Sequence, residues 1–368
     1  MRIAFYAPLK PPDHPVPSGD RRIAQLFLEA LRRAGHEPFL ASRLRSYDGP
    51  GDPERQARIA ATGERTAERL ARRWHTRPQE RPGLWFTYHL YYKAPDHLGP
   101  SVSAALGIPY VVAEASFAAK RADGPWGLGH GAVERAIRRA DLVIGLNSAD
   151  RDAVWPLLAD AGRWLLLPPF LDAAPFGASA HTADGAPRLI AVAMMRPGDK
   201  LASYRLLGEA LTQLLDLPWS LEIVGDGPAR GEVETALAPL GDRVVYRGAL
   251  EPAAIAERLA AADLFVWPAI NEAFGMALLE AQASALPVVA GNTGGVADIV
   301  VPEITGVLVP AGDPVAFAAA LGALLRDPVL RRRMGKAARD NVWRDHDLAP
   351  AASRLAAALT RLGPAKAA

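Results

Sequence analysis

The sequence predicts an α/β protein made of two tandem Rossmann-like domains, each built around a mostly parallel sheet. Short apolar runs alternate with longer amphipathic runs along the 368 residues. That alternation is typical of βαβ units. A stretch rich in Pro, Gly, Ala, Ser and Thr interrupts it near 173–187, and the pattern then restarts. The length is about twice that of a typical single domain, which also favours two domains.

Five apolar runs in the first half predict strands, and the amphipathic runs between them predict helices. The predicted strands are 2–7, 37–41, 84–88, 110–113 and 142–146. The predicted helices are 19–34, 54–74, 97–106 and 129–140. In the first helix Ile23, Phe27 and Leu31 share one stripe, and Gly35 follows as a C-terminal stop. The Arg-rich helix 54–74 alternates acidic and basic residues, which indicates a solvated face with internal ion pairs.

The second half repeats this order and ends in helices. Its predicted strands are 189–193, 220–224, 244–246, 264–267 and 287–290. Its predicted helices are 201–216, 229–239, 252–262, 275–285, 313–326, 328–343 and 348–361. We therefore predict an N-terminal domain over 1–172, a linker over 173–187 and a C-terminal domain over 188–343. The segment 344–368 is expected to form a helix that packs back on the N-terminal domain.

Composition excludes several classes of function. The chain has no cysteine, which rules out disulfides, thiolate catalysis and cysteine-ligated metals. A net charge of +2 is too small to predict nucleic-acid binding, although it permits peripheral contact with an anionic membrane. The first apolar run is cut off by Lys10-Pro11-Pro12, and no run approaches the roughly 20 apolar residues of a spanning helix. We expect a cytoplasmic protein.

The loops that follow the predicted strands carry the candidate binding residues, because ligands of parallel sheets bind at the carboxyl ends of strands. The first loop, 8–20, is longer than the ~2–6 residues that a simple connection needs. Ser18 and Gly19 open the following helix, where free N–H groups would bind an anion. The alternative is a proline-stiffened surface loop with an ordinary helix cap.

Two loops of the second half have residues suited to a phosphate-bearing ligand. Arg196 and Lys200 lie four positions apart and would neutralise a diphosphate; the alternative is two solvated surface cations. Gly225-Asp226-Gly227 forms a tight turn where a ligand could approach the backbone, or a simple strand-to-helix connection.

A third loop places two carboxylates around the start of a helix. Glu272 lies in the loop, and Glu280 lies about one turn into the helix that Gly275 opens. The helix start offers donors for phosphate, and sugar hydroxyls would satisfy the carboxylates. The alternative places Glu280 on the wet face of the helix. Gly294-Gly295 opens a further loop of the same kind.

As a set and in this order, these segments resemble glycosyltransferase family 4, retaining enzymes of the GT-B fold, in which two Rossmann-like domains face an interdomain cleft. The matching residues are Arg196 and Lys200, 225–228, Glu272 and Glu280 with Phe274-Gly275 between them, Gly294-Gly295, Gly306 and Gly312-Asp313. The likeness covers about 188–345 well and is looser over 1–185, where acceptor-binding regions vary.

The resemblance implies roles for these residues. Arg196 and Lys200 would hold the donor diphosphate, Glu272 would contact the sugar, and Glu280 would bind the ribose. Further donor contacts would come from the glycine turns, the following helix start and the loop of the first domain, that is, from Gly225, Asp226, Phe274, Gly275, Met276, Ser18 and Gly19. The donor would be a UDP- or GDP-sugar, and no metal or other cofactor would be required.

The first domain departs from the family pattern. Many relatives carry a His after the strand that matches 110–113, whereas this chain has Glu114-Ala115-Ser116. His89, Glu114 or His130 would then contact the sugar, and we include His130 among the catalytic candidates; the alternative is a structural histidine. Tyr92, Trp126 and neighbouring aromatic residues would stack on a sugar or an apolar acceptor, or pack in the core.

The predicted function is that of a retaining glycosyltransferase that moves a sugar from a nucleotide sugar to an unidentified acceptor hydroxyl. One alternative is a sugar-nucleotide epimerase or hydrolase that uses the same donor site. Another is a catalytically degenerate nucleotide-sugar-binding protein, which the altered Glu114–Ser116 stretch favours and the intact second-domain set opposes. The sequence leaves a monomer and a homodimer equally open.

Overall fold

The computed structural model describes residues 1–16, 18–177 and 185–363. The chain folds into two compact units. The first unit comprises residues 1–168 and the C-terminal segment that begins at Leu348, and the second comprises Pro169–Asp347. No helix in the described ranges is both long and apolar enough to cross a bilayer.

The first unit contains a six-stranded parallel sheet of order β2-β1-β3-β4-β5-β6. Its strands are β1 (Arg2–Tyr6), β2 (Glu37–Ser42), β3 (Leu84–Leu90), β4 (Tyr110–Ala115), β5 (Leu142–Gly145) and β6 (Trp164–Leu166). The four central strands are almost wholly buried, as expected for a parallel sheet covered on both faces.

Helices flank this sheet. They are α1 (Gly19–Arg33), α2 (Pro53–Thr76), α3 (Gly99–Leu106), α4 (Gly127–Arg139), the short α5 (Arg151–Val154) and the C-terminal α12 (Leu348–Arg361). In α1 the predicted stripe of Ile23, Phe27 and Leu31 is buried. Helix α12 packs against α1, which explains why the C-terminal segment belongs to the first unit.

The second unit contains another six-stranded parallel sheet, of order β12-β11-β10-β7-β8-β9. Its strands are β7 (Arg188–Val192), β8 (Ser220–Val224), β9 (Val244–Gly248), β10 (Leu264–Trp267), β11 (Val288–Asn292) and β12 (Gly306–Pro310). Its helices are α6 (Asp199–Thr212), α7 (Arg230–Leu237), α8 (Pro252–Ala261), α9 (Met276–Ala283), α10 (Pro314–Arg326) and α11 (Pro328–Asn341).

The prediction of two α/β domains with parallel sheets is confirmed. Two strands were missed, β6 and β12. Strand β6 is apolar, but its three residues are too few for an alternating or continuous pattern to identify it as a strand. Strand β12 begins with Gly and ends with Pro, residues that weaken a strand pattern in the sequence.

The second unit begins and ends at the same place. Leu171 N donates to His346 O at 2.9 Å, and Ala173 N donates to Asp347 Oδ1 at 3.0 Å. Ala173 and Phe176, which the sequence analysis assigned to a linker over 173–187, are buried in the core of the second unit. Residues 178–184 of that predicted linker lie outside the described residues.

Candidate active site

The strand order of the second unit creates a natural binding edge. Strand β7 lies between β10 and β8, so the chain leaves the sheet in opposite directions from two adjacent strands, β7 and β10. Ligands of open parallel sheets bind at such a switch point, beyond the carboxyl ends of the strands. The loops at this point are 193–198 after β7 and 268–275 after β10.

A lysine and a glutamate meet at this switch point. Lys200, in the first turn of α6, places Nζ 2.5 Å from Glu272 Oε2 in the loop after β10. The two side chains are 29% and 17% exposed, so the pair is shielded but open to solvent. Trp267 Nε1 donates to the same carboxylate oxygen at 3.1 Å, and its ring lies 5.2 Å from Lys200 Nζ. The sequence-predicted Lys200 and Glu272 are thus in direct contact.

Further hydrogen bonds fix the loop after β10 to the first turns of α6. Asn271 Nδ2 donates to Asp199 Oδ2 at 2.8 Å, and Ile270 N donates to Ser203 Oγ at 3.0 Å. Ala269 and Asn271 have φ values of 55° and 52°. Such left-handed backbone is costly for a residue other than glycine and is concentrated at functional sites.

The loop after β11 supports Glu272 from behind. Thr293 Oγ1 accepts from Glu272 N at 3.0 Å and donates to Ala269 O at 3.0 Å. Gly294 has a φ of 50°, and a Cβ there would lie 2.1 Å from Glu272 O. Gly295 N donates to Ala273 O at 2.8 Å. The predicted glycine pair therefore acts by letting two backbones approach closely.

The start of α9 presents free donors beside Glu272. Gly275 precedes the helix with a φ of 74°. Within the described residues, the backbone N–H groups of Gly275, Met276 and Ala277 donate no hydrogen bond. Unsatisfied N–H groups at a helix start attract anions. Phe274 is buried just before them, and Glu280 lies half-buried inside the helix.

The turn after β8 lies against the loop after β7. Met195 N donates to Asp226 O at 3.0 Å. A Cβ on Gly225 would lie 1.9 Å from Ala193 O, and a Cβ on Gly227 would lie 2.3 Å from Met195 O. The predicted turn over 225–228 therefore packs on the loop that leads to Lys200. Arg196, in that loop, is exposed and forms no ion pair with a described residue.

The predicted anion site of the first unit is an occupied helix cap. Ser18 Oγ accepts from Arg21 N at 3.2 Å, which makes Ser18 the N-cap of α1. Gly19 is the first residue of that helix and is exposed. This geometry matches the alternative of an ordinary cap; a donor contact from Ser18 or Gly19 stays a prediction.

A charged cluster lies at the switch point of the first sheet, between β1 and β3. His89 Nδ1 lies 2.9 Å from Asp20 Oδ1 and 3.9 Å from Glu114 Oε1. His89 and Glu114 have φ values of 61° and 58° at the ends of adjacent strands. The sequence predicts a sugar contact for His89 or Glu114 but does not predict Asp20 as their partner, because Asp20 has the pattern of an ordinary acidic residue in the first turn of a helix.

Burial and charge act against each other in this cluster. Burial alone would lower the pKa of His89, but the charge of Glu114 and the hydrogen bond and charge of Asp20 outweigh it and raise that pKa. Burial raises the pKa of Glu114, and the charge of His89 offsets it only in part. Burial likewise raises the pKa of the nearby Asp150. For Asp20 the bond and charge of His89 outweigh burial, so the pKa is lowered.

His130 has the surroundings of a packing residue. It is 5% exposed, and its ring centroid lies 4.7 Å from that of Phe117. Its Nε2 atom has no hydrogen-bond partner among the described residues. Nothing in these contacts favours the catalytic role given to His130 from the sequence, which stays a prediction.

Comparison with known proteins finds a family model that matches most of the second unit. Residues 186–327 match the model of the family "Glycosyl transferases group 1". The predicted resemblance to glycosyltransferase family 4 is thereby confirmed, and the matched segment contains the Lys200–Glu272 pair and the glycine turns around it.

Curated relatives match over part of the chain. A D-inositol 3-phosphate glycosyltransferase of Kineococcus radiotolerans is 33% identical over an alignment of 233 residues that covers 55% of this chain and 53% of that protein. A GDP-mannose-dependent alpha-mannosyltransferase of Mycolicibacterium smegmatis is 41% identical over 123 residues, 33% of this chain and 31% of that protein. The matched region thus spans about half or less of these relatives.

The likeness to solved structures extends over both units. The Anabaena protein HepE, in complex with UDP, superposes with a TM-score of 0.75 at 16% identity, covering 98% of this chain and all of that one. At this identity the likeness shows the fold alone. Together with the two parallel sheets, it confirms the predicted fold of two Rossmann-like α/β domains.

Proposed function

We propose that the chain is a retaining glycosyltransferase that moves a sugar from a nucleoside-diphosphate sugar to an acceptor hydroxyl. The contact between Lys200 and Glu272 at the switch point of the second sheet carries the proposal. An ammonium group suits a diphosphate, and a carboxylate suits sugar hydroxyls. A nucleotide sugar presents a diphosphate and sugar hydroxyls side by side.

The positive groups of the site serve the leaving diphosphate. As the glycosidic bond opens, negative charge develops on the oxygen that leaves with the nucleotide. Lys200 and the free N–H groups at the start of α9 stabilise that charge, because they are fixed in place before the reaction begins. Arg196 is exposed and forms no ion pair with a described residue, so its side chain binds the same diphosphate without breaking an existing ion pair.

The carboxylates serve the sugar and the ribose. Glu272 is held from three sides by Lys200, Trp267 and Thr293, so its oxygens are oriented before a donor arrives. It accepts hydrogen bonds from sugar hydroxyls close to the reacting carbon, and Glu280 accepts those of the ribose. The acceptor hydroxyl attacks from the face on which the diphosphate departs, which retains the anomeric configuration.

Similar proteins indicate which donor nucleotides to test first, and the charges of the site bear on the need for metal. One relative is named for GDP-mannose, and the protein HepE was solved with UDP, so both nucleotides belong in the first screen. The two basic side chains and the helix start supply the positive charge that a divalent cation supplies in other transferases. We therefore propose a reaction that requires no metal.

A nucleotide panel tests the donor site. The full chain is heated with millimolar UDP, GDP or ADP, and with the corresponding nucleotide sugars. We expect one nucleoside diphosphate to raise Tm, because a ligand that binds only the native state stabilises it. Lys200→Ala should lose most of that rise, and Glu272→Ala should lose the additional rise that the nucleotide sugar gives over the nucleoside diphosphate. Lys336→Ala is the matched control, since Lys336 forms an equally short but exposed pair with Asp340 on α11.

Assays of turnover distinguish the proposed transferase from an epimerase or hydrolase and from a binding protein. Transfer to an acceptor, falling by about 100-fold or more in Lys200→Ala and Glu272→Ala with the fold intact, supports the proposal. Donor hydrolysis or epimerisation without any acceptor points to a sugar-nucleotide hydrolase or epimerase. Nucleotide affinity without turnover indicates a binding protein. A flat response to all three nucleotides contradicts the donor site itself.

A further inference from the structure

A cavity of the first unit lies among the loops that follow β2 and β3. It has a volume of about 320 Å³ and opens between α2, α4 and the loop that follows β3. Apolar side chains of α2 and α4 form one wall, and polar groups from the loops face them. Ligand pockets in proteins run from about 300 to 1,000 Å³, so this cavity suits a molecule of monosaccharide size.

Asp48 contributes a buried acceptor without a donor. Its side chain is 2% exposed. Oδ2 accepts from Asp52 N at 2.8 Å and from Gln56 Nε2 at 2.9 Å. Oδ1 accepts no hydrogen bond from a described residue; Arg55 Nε forms an ion pair with it at 3.8 Å, beyond hydrogen-bonding distance. A buried carboxylate oxygen in this state is costly, and a ligand donor that entered the cavity would satisfy it.

The walls that hold Asp48 are fixed. Gln56 donates to Asp48 and, at 2.8 Å, to Pro125 O, while its Oε1 accepts from Gly129 N at 3.2 Å. A Cβ on Gly129 would lie 2.2 Å from Tyr92 O, so α4 packs directly on the loop after β3. The free oxygen of Asp48 is therefore oriented by its surroundings, as a binding site requires.

Two cations line the same cavity. Lys93 places Nζ 4.7 Å from the centre of the Trp126 ring, and Arg135 projects from α4. Neither forms an ion pair with a carboxylate of the described residues. Glu64 also lines the cavity and contributes one negative charge. Burial lowers the pKa of the neighbouring His97, although the charges of Asp96 and Glu64 oppose it. Since Asp48 is paired with Arg55, the positive charges of Lys93 and Arg135 exceed the charge of Glu64 by one.

These features specify one ligand chemistry. The free oxygen of Asp48 requires a donor, and Lys93 and Arg135 disfavour an ammonium group and favour an anion. We propose that the cavity binds a small polyhydroxylated molecule with one anionic group, such as a sugar phosphate or a polyol phosphate. A hydroxyl of this ligand donates to Asp48 Oδ1, and its anionic group lies between Lys93 and Arg135. The inference does not depend on the donor site of the second unit.

Calorimetric titration of the full chain tests the cavity without any nucleotide. The probes are D-glucose 6-phosphate and glycerol 3-phosphate, with glucose, glycerol and inorganic phosphate as controls. We expect at least one phosphorylated polyol to bind tenfold or more tightly than its neutral counterpart and than phosphate. Because no nucleotide is present, failure of the donor site would leave this result unaffected.

Three variants locate the binding. Asp48→Asn keeps the acceptor that Asp52 and Gln56 require but turns a donor toward the ligand hydroxyl. It should weaken binding at least tenfold without lowering the Tm of the free protein. Arg135→Gln should weaken binding similarly, whereas Arg138→Gln, which breaks only the Arg138–Glu134 pair on the same helix, should not.

Specific outcomes would overturn the inference. One is the absence of binding by both phosphorylated probes at millimolar concentration. Another is phosphate alone binding as tightly as either of them. A third is Asp48→Asn binding like the wild type. Addition of a nucleotide sugar then shows whether a bound probe is an acceptor or an effector. A probe that becomes glycosylated is an acceptor, and a probe that only changes the rate of sugar transfer is an effector.

Discussion

The close approach of Gly294 to Glu272 gives a quantitative prediction for Gly294→Ala. The new Cβ would lie 2.1 Å from Glu272 O, whereas real Cβ atoms essentially never approach another atom within 3.0 Å. One loop must therefore move by about 0.9 Å. The loops are tied on both sides of the contact, by Thr293 Oγ1 to Glu272 N and by Gly295 N to Ala273 O, so the movement falls on Glu272 itself.

Gly294→Ala should lower both the stability of the fold and the rate of the reaction. Overpacking of this kind costs about 1–3 kcal/mol, and 1 kcal/mol shifts Tm by roughly 2–4 °C in a unit of this size. We therefore expect Tm to fall by roughly 2–12 °C. A displacement of about 1 Å at a reacting group can cost about 100-fold in rate. The nucleotide-induced rise in Tm should shrink for the same reason, because Glu272 moves relative to Lys200.

The control separates the clash from the backbone conformation. Gly312 also has a positive φ, of 82°, but a Cβ there would meet no atom within 4 Å. Gly312→Ala therefore carries the cost of left-handed alanine alone, about 1 kcal/mol. Thermal unfolding with and without the nucleotide measures both variants. If Gly294→Ala loses no more stability and no more nucleotide response than Gly312→Ala, the reasoning about the contact is refuted.

Three further predictions concern the helix cap, the charged cluster and metal. Ser18→Ala should cost about 0.5–2 kcal/mol through loss of the cap on Arg21 N and lower Tm, whereas Ser18→Asp should restore it; equal Tm values for the two variants would count against the cap. Because the pKa of His89 is raised from 6.5, the stability it contributes is fully present below pH 6.5 and is lost as pH rises through the raised value. His89→Gln should therefore flatten the decline of Tm from pH 6 to 9, and an unchanged pH profile would contradict the coupling to Asp20 and Glu114. Finally, nucleotide binding and turnover should persist in excess EDTA, and loss of either on chelation, restored by Mg²⁺, would contradict the proposed metal independence.

Much of the fold follows from local pattern. Strands such as β10 (Leu264–Trp267) are buried on both faces and so read as continuous apolar runs, and Gly and Pro mark most of their ends. Strand β6 could not be found this way, because its three apolar residues are too few to form a pattern and its position depends on pairing with β5. Pairing between distant segments leaves no local signal in a sequence.

The candidate site was predictable in part. Lys200 and Glu272 were named because loops at adjacent strand ends converge, and their contact is present. For Ser18, residue type alone leaves two interpretations open, an anion site and an ordinary helix cap. The structure shows the cap. Asp20 was missed as the partner of His89, since 69 residues separate them and only the order of β1 and β3 brings them together.

The most direct test is a crystal structure of the chain with the nucleoside diphosphate that gives the largest rise in Tm. The account predicts diphosphate oxygens about 3 Å from Lys200 Nζ and from the free N–H groups at Gly275–Ala277, with Glu272 facing the adjoining sugar position. A nucleotide bound elsewhere, with the Lys200–Glu272 pair untouched, would contradict it.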